Sequence, residues 1–290
     1  MHFADRIIKT CEEKKSRLVV GLDPHWALIP DAFKQEHGPN PGAVIAAYMC
    51  QVVAVCAPVA VAFKPQIAFF EQFGVPGFQA LQQVLEEIRK QGALVIMDAK
   101  RNDIGSTAKA YASAYFGSEQ LPAAFESDSL TVNAYLGKDG IAPFLEKPEK
   151  GIFALVKTSN PSSGDFQDVK IEGGETLAER VAATLNQWNE PTIGQSGYGN
   201  AGAVVGATWP EHMKLLRDKM PRSLILVPGY GAQGGSTDGV RVAFNPDGYG
   251  ALINSSRGIL FPPDLAENGF KAVANAASAA RKDINRAIGA

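Results

Sequence analysis

The chain has 290 residues, a formal net charge of −2 and a pI near 6.1, with 46% hydrophobic and 20% charged residues. That composition supplies a large core and no surface field of one sign, which argues against nucleic acid or a membrane as partner. Cys11, Cys50 and Cys56 form no CxxC pair and no even disulfide set, and His2, His25, His37 and His212 are too scattered to suggest a metal site.

The N-terminal stretch MHFADRIIKTCEEKK is charged and amphipathic, so it reads as a helix over about 1–15 rather than an apolar leader. No apolar run approaches the length of a membrane span, and the cytoplasm is the expected location. Short apolar, β-branched runs then recur at 18–23, 59–64, 94–98, 129–133, 152–157, 203–207, 224–227 and 251–253. They are nearly continuous in hydrophobicity, as strands covered on both faces require. Helical patterns separate them at 41–56, 77–90, 107–116, 174–189 and 210–219, and a last helix is expected over about 268–288. The first of these opens on Pro41, which suits a first helical turn because its missing N–H would have no partner there. Two stretches read as long loops, 158–174, rich in Ser, Pro and Gly, and 191–202, rich in Gly.

Eight βα units in a chain of this length predict one closed (β/α)8 TIM barrel domain over 1–290. A doubly wound open sheet would normally carry a glycine-rich nucleotide loop after its first strand, and Gly21-Leu22-Asp23-Pro24 is not one.

Barrel enzymes carry their chemistry at the C-terminal ends of the strands. Here strand one ends in Asp23, strand two in Lys64, and strand three in Asp98-Ala99-Lys100. Asp98 and Lys100 are two apart, so they share a face while the strand stays extended. Adjacent strands lie about 4.8 Å apart, so the four side chains are expected to form one row of alternating charge. In such a row each lysine favours its neighbouring carboxylates in ionised form, and the carboxylates favour the ammonium. Near the C-terminus, Pro228-Gly229-Tyr230-Gly231-Ala232-Gln233-Gly234-Gly235 follows strand seven and Asn254-Ser255-Ser256-Arg257-Gly258 follows strand eight. Glycines there let backbone N–H groups approach an anion, and Arg257 offers a fork of donors, so a phosphate site is expected between these loops.

With these residues in place, the chain resembles the orotidine 5′-phosphate decarboxylase family in its longer bacterial-type form. The strongest likeness is Asp98-Ala99-Lys100-Arg101-Asn102-Asp103-Ile104-Gly105-Ser106-Thr107, which fits the family's Asp-x-Lys-x-x-Asp signature. Gly21-Leu22-Asp23-Pro24, Phe63-Lys64-Pro65-Gln66, Val205-Gly206-Ala207-Thr208, Pro228-Gly229 with Gln233-Gly234-Gly235, and Ser255-Ser256-Arg257-Gly258 agree in the expected order. The resemblance implies a cofactor-free decarboxylation of orotidine 5′-monophosphate to uridine 5′-monophosphate. It implies Lys100 as the acid that protonates C6, Asp98 beside the departing carboxylate, Lys64 holding the network and touching the ribose, and Asp23 on a ribose hydroxyl. It further implies Ser159, or Thr158 beside it, at the pyrimidine, Gln233 and Arg257 at the phosphate, and Pro161 and Gly234 among the other substrate contacts. Asp103, Ile104 and Thr107 would reach the site of a neighbouring subunit, which makes a homodimer the expected assembly.

Three other chemistries fit parts of the pattern. A magnesium-dependent sugar-phosphate enzyme shares the signature but needs a carboxylate where this chain has Lys64. A Schiff-base aldolase needs an amine of depressed pKa, and carboxylates around it push the other way. A non-catalytic ligand binder on the same barrel would be expected to lose its charged site residues first. Asn133, at the end of strand four, has no role in this reading beyond a structural hydrogen bond or a place in the site.

Overall fold

In the structure, a computed structural model describing residues 1–208, 210–229 and 240–289, the eight runs become eight parallel strands. They are β1 Leu18–Leu22, β2 Ala62–Pro65, β3 Leu94–Arg101, β4 Ser129–Val132, β5 Gly151–Lys157, β6 Gly199–Val205, β7 Ser223–Val227 and β8 Ala251–Ser255. Each pairs with the next, and β8 pairs with β1 through Leu18–Ile253, Val19–Asn254 and Val20–Ser255, so the barrel is closed.

The period-two alternation of strand side chains divides the apolar residues into two cores. Leu18, Val20, Val95, Met97, Ile152, Ala154, Ile225 and Ile253 pack outward against the helices. Val19, Leu94, Ile96, Phe153, Val204, Leu224, Leu226 and Leu252 form the inner cluster. That inner cluster is completed from below by Phe3, Ile7, Ile8 and Cys11 of the helix Phe3–Lys14, which closes the N-terminal floor of the barrel. The Phe3 ring meets Phe153 edge-on at 6.3 Å, and Gly151 leaves room for it, since a methyl there would lie 2.1 Å from that ring. Helix Pro41–Cys56 begins as expected, with Asn40 Oδ1 accepting from the Gly42 N–H at 2.9 Å. The three cysteines are free thiols, Cys11 and Cys56 buried.

Two expectations are corrected. The stretch 191–202 is not one long loop, because β6 already begins at Gly199. Its glycines serve close packing rather than freedom: a methyl on Gly199 would lie 2.2 Å from Asn189 Oδ1, and one on Gly202 would lie 2.7 Å from both the Leu224 carbonyl and the Phe153 ring. The stretch 158–174 is likewise structured, with a 3₁₀ turn Pro161–Ser163, a helical turn Gly164–Gln167 and a bridge between Lys170 and Thr176. The following helix therefore starts at Leu177 rather than 174, behind a capping box in which Thr176 and Glu179 satisfy each other's backbone N–H.

Candidate active site

The C-terminal ends of β2, β3 and β4 meet in one buried cluster. Asp98 lies at its centre. Its Oδ2 accepts from Lys64 Nζ at 2.7 Å, and its Oδ1 accepts from Lys100 Nζ at 2.6 Å and from Thr131 Oγ1 at 2.9 Å. Burial alone would raise the Asp98 carboxyl, but Lys64 and Lys100 outweigh it and hold the group far below the usual carboxylate range. Burial likewise pulls Lys64 down, yet Asp98 and then Asp23 overcome it and leave its pKa above the ordinary lysine value. Lys64 thus remains an ammonium inside the protein. The side chain of Lys100, by contrast, is 45% exposed, against 6% for Lys64 and 11% for Asp98, so it rises from the buried pair toward the open mouth.

The expected geometry of strand three needs correcting. The strand does not stay extended through Lys100: this residue has φ +48°, a left-handed conformation uncommon for a side-chain-bearing residue, and the register against β4 shifts between Met97 and Arg101. Asp98 and Lys100 meet across this kink, not along a regular pleat. The sequence reading missed the residue that holds it. Thr131, buried in β4, accepts from the backbone N–H groups of Ala99 and Lys100, both at 3.0 Å, while its hydroxyl donates to Asp98. Left-handed backbone costs of order 1–3 kcal/mol, and these bonds oppose that cost.

Asp23 joins the cluster electrostatically, through Lys64, but makes no hydrogen bond to it. Its Oδ1 is buried without a partner among the described residues, and so is Asn254 Oδ1 on the adjacent β8. Gly21 lets the two strands approach here, since a methyl on it would lie 1.9 Å from Ser256 Oγ. Two unfilled acceptors on adjacent strand ends, one of them coupled to the Lys64 ammonium, are suited to hydroxyl donors of a ligand. Arg257 opens a short helical turn after β8 and is exposed, as an anion-binding arginine must be. Gln233 and Gly234, with Tyr230, lie outside the described residues.

Asp103, Ile104 and Thr107 follow β3 and make no hydrogen bond to the cluster among the described residues. Asp103 Oδ1 accepts from the Ile104 N–H at 2.8 Å, Ile104 is 55% exposed, and Thr107 lies on the exposed face of the helix Gly105–Phe116. Ser159 is half-buried after β5, beside Gly206 of the loop after β6, and Pro161 is exposed. Asn133 Oδ1 accepts from the Tyr135 N–H at 3.0 Å and caps the turn Ala134–Leu136. Arg101 packs over the rings of Tyr111 and Tyr115, and His25 packs edge-on against Phe69.

The chain also matches known proteins along most of its length. Residues 16–271 match the family model described as orotidine 5′-phosphate decarboxylase / HUMPS family. The chain is 44% identical over 269 residues to the orotidine 5′-phosphate decarboxylase of Rhodopirellula baltica, covering 90% of this chain and 89% of that one. It is 38% identical to the enzyme of the same name from Caldicellulosiruptor saccharolyticus, with 99% of each chain covered. Among solved structures, Leishmania donovani OMP decarboxylase superposes with a TM-score of 0.81 at 32% identity, covering both chains completely.

Proposed function

The chain belongs to the orotidine 5′-phosphate decarboxylase family, and from that membership we infer its activity. It decarboxylates orotidine 5′-monophosphate to uridine 5′-monophosphate, a step of pyrimidine biosynthesis. The observation that carries the mechanism is the cluster of Lys64, Asp98 and Lys100, in which one carboxylate is shared by two ammonium groups at 2.7 and 2.6 Å.

The reaction breaks the bond between C6 and the carboxylate and leaves its electron pair on C6, where the ring cannot spread it. A fixed positive charge is needed at that carbon, followed by a proton. Lys100 supports both roles, because its ammonium stands at the mouth on a base that Asp98 and Thr131 hold in place. As carbon dioxide leaves, the proton passes from Lys100 Nζ to C6, and the amine is recharged from solvent. Asp98 orients Lys100 and lies beside the departing carboxylate. Lys64 fixes Asp98 and contacts the ribose, and Asp23 accepts from a ribose hydroxyl through the oxygen that is otherwise unfilled. Ser159 holds the pyrimidine, Arg257 with Gln233 grips the phosphate, and Pro161 and Gly234 add further contacts to the substrate. Phosphate binding then serves to fix the ring for reaction, so orotidine without its phosphate loses turnover as well as affinity.

Lys64 also separates this reading from magnesium-dependent sugar-phosphate chemistry, which needs an oxygen donor at that position. Its raised pKa argues against a Schiff base, which needs a neutral amine. The exposure of Ile104 and Thr107 supports a homodimer in which Asp103, Ile104 and Thr107 complete the neighbour's site. The same reading places the enzyme in the cytoplasm; among the described residues no single helix is long and apolar enough to cross a membrane. The direct test follows the ultraviolet absorbance of orotidine 5′-monophosphate. Its decay to uridine 5′-monophosphate with the purified chain is the expected result, and an unchanged spectrum overturns the assignment.

A further inference from the structure

The roles above leave one buried charge at the mouth of the barrel unused. Lys157 ends β5, is 0% exposed, and places Nζ 2.7 Å from both carboxylate oxygens of Asp168 and 3.2 Å from Ser163 Oγ. The preceding residue, Gln167, reaches back to the neighbouring position of the strand end. Its Oε1 accepts from the Thr158 N–H at 2.8 Å, and its Nε2 donates to Thr158 Oγ1 at 2.9 Å. Residues 167 and 168 are thus tied to residues 158 and 157. The chain between them is drawn into a closed hairpin of helical turns, with Ser159 at its entry.

The other side of Ser159 is fixed as well. Gly206 faces it so closely that a methyl there would lie 2.9 Å from Ser159 Cβ and 3.0 Å from its backbone N. A buried ammonium favours a counter-charge in reach, and the Asp168 carboxylate, 2.7 Å from Lys157 Nζ through both oxygens, favours the loop in this closed form. Ser159 is therefore held between a tied loop and a strand end that has no side chain to yield.

We propose that Asp168 and Gln167 are positioning residues for recognition of the pyrimidine base: they touch no substrate, but by buckling the loop onto Lys157 and Thr158 they set where Ser159 stands. The proposal rests on the reading of Ser159 as a base contact. It gives the Ser- and Gly-rich segment after β5 a purpose, and it predicts that the chemistry of this loop acts on the base and not on the ribose phosphate.

Titration calorimetry with two probes, uridine 5′-monophosphate and ribose 5-phosphate, tests it. Gln167→Ala unties the loop from Thr158 without touching the ion pair, whereas Asp168→Asn also removes a counter-charge of buried Lys157, so its fold is verified by circular dichroism before binding is read. Each is expected to weaken uridine 5′-monophosphate by about tenfold while ribose 5-phosphate binding stays within about twofold, and Asp168→Glu restores affinity. Coupled residues are non-additive, so the loss from Asp168→Asn disappears in a Ser159→Ala background. Equal weakening of both probes, unchanged nucleotide affinity, or a loss that adds in full to that of Ser159→Ala overturns the proposal. A wild-type chain that binds neither probe overturns the reading of the site itself.

Discussion

Buried lysines stand at both ends of this barrel, and they obey opposite electrostatics. At the mouth, Lys64 sits against Asp98 with Asp23 nearby, and the carboxylates raise its pKa despite burial. At the floor, Lys150 is also buried, but its Nζ donates to the carbonyl of Ser127 at 2.7 Å, and burial lowers its pKa against the weaker pull of Asp128 and Glu126. Lys14, half-buried at the same end, donates to the carbonyls of Ala57 and Ala60 and is lowered as well. A carbonyl satisfies an ammonium's hydrogen bond but carries no net charge to offset desolvation. The floor lysines close loops; the mouth lysines hold charge ready. Burial by itself marks neither as functional, and the counter-charge decides.

The contrast can be broken most sharply at Lys100. Lys100→Ala is expected to lower kcat on the order of 10³-fold or more, since it removes both the charge and the proton aimed at C6. It also removes one of the two ammonium groups that hold the Asp98 carboxylate, so the melting temperature falls modestly while the fold persists, which calorimetry can check. A variant with substantial turnover would move the acid elsewhere.

Thr131→Val is the next test. It keeps the shape but leaves the Ala99 and Lys100 N–H groups and Asp98 short of one partner. A fall in kcat of about 10- to 100-fold, with KM little changed and with activity returning in Thr131→Ser, is expected from one to two misplaced hydrogen bonds at a charged centre.

The pH dependence of stability gives a third measure. The folded pKa of Asp98 is depressed, so its contribution is present above the unfolded carboxylate value near 4 and is lost as pH falls below it toward the folded value. The stability gap between wild type and Asp98→Asn, read from urea melts, should therefore shrink steadily below about pH 4. A gap that widens on acidification would mean that Asp98 enters the fold protonated.

The smallest effect on turnover belongs to the floor. Lys150→Met should leave kcat and KM within about twofold of wild type while costing about 1–3 kcal/mol of stability, because the Ser127 carbonyl loses its donor. Since the folded pKa of Lys150 is lowered, its charge burdens the fold until pH rises through that value, so the wild type gains on this variant in alkaline solution. Lys64 behaves in the opposite sense: its raised pKa makes its contribution complete below the unfolded lysine value near 10.4 and lost as pH climbs through the folded one.

Much of this architecture was legible in the chain. Continuous apolar runs between amphipathic helices encode a barrel because parallel strands are covered on both faces. The mouth was legible because four charged residues of alternating sign end three consecutive apolar strands, a pattern that a single strand-end charge does not make. The charged cross-strand pair of Lys64 and Asp98 was legible from its register at the strand ends; what escaped were the neutral residues and the backbone turn that brace it. Thr131 lies in Ser129-Leu130-Thr131-Val132, where a threonine is an ordinary β-former, and nothing local says that its hydroxyl braces another strand. The left-handed turn at Lys100 was hidden for the same reason, since neither glycine nor asparagine announces it. Gly199 and Gly202 read as loop residues, although they mark places where two backbones or a ring come close. Lys157 looked like any strand-end lysine until the loop that covers it was in place.

The helix that seals the floor has a practical corollary. Residues 3–14 are anchored by Phe3 and Ile7 at the end of the barrel opposite Lys100, while Met1 itself is 72% exposed. A linker attached at residue 1 would suspend the molecule from its base, with the entrance pointing away from a bead or electrode. Trimming those first fourteen residues would instead unplug the bottom and wet the inner column of apolar side chains.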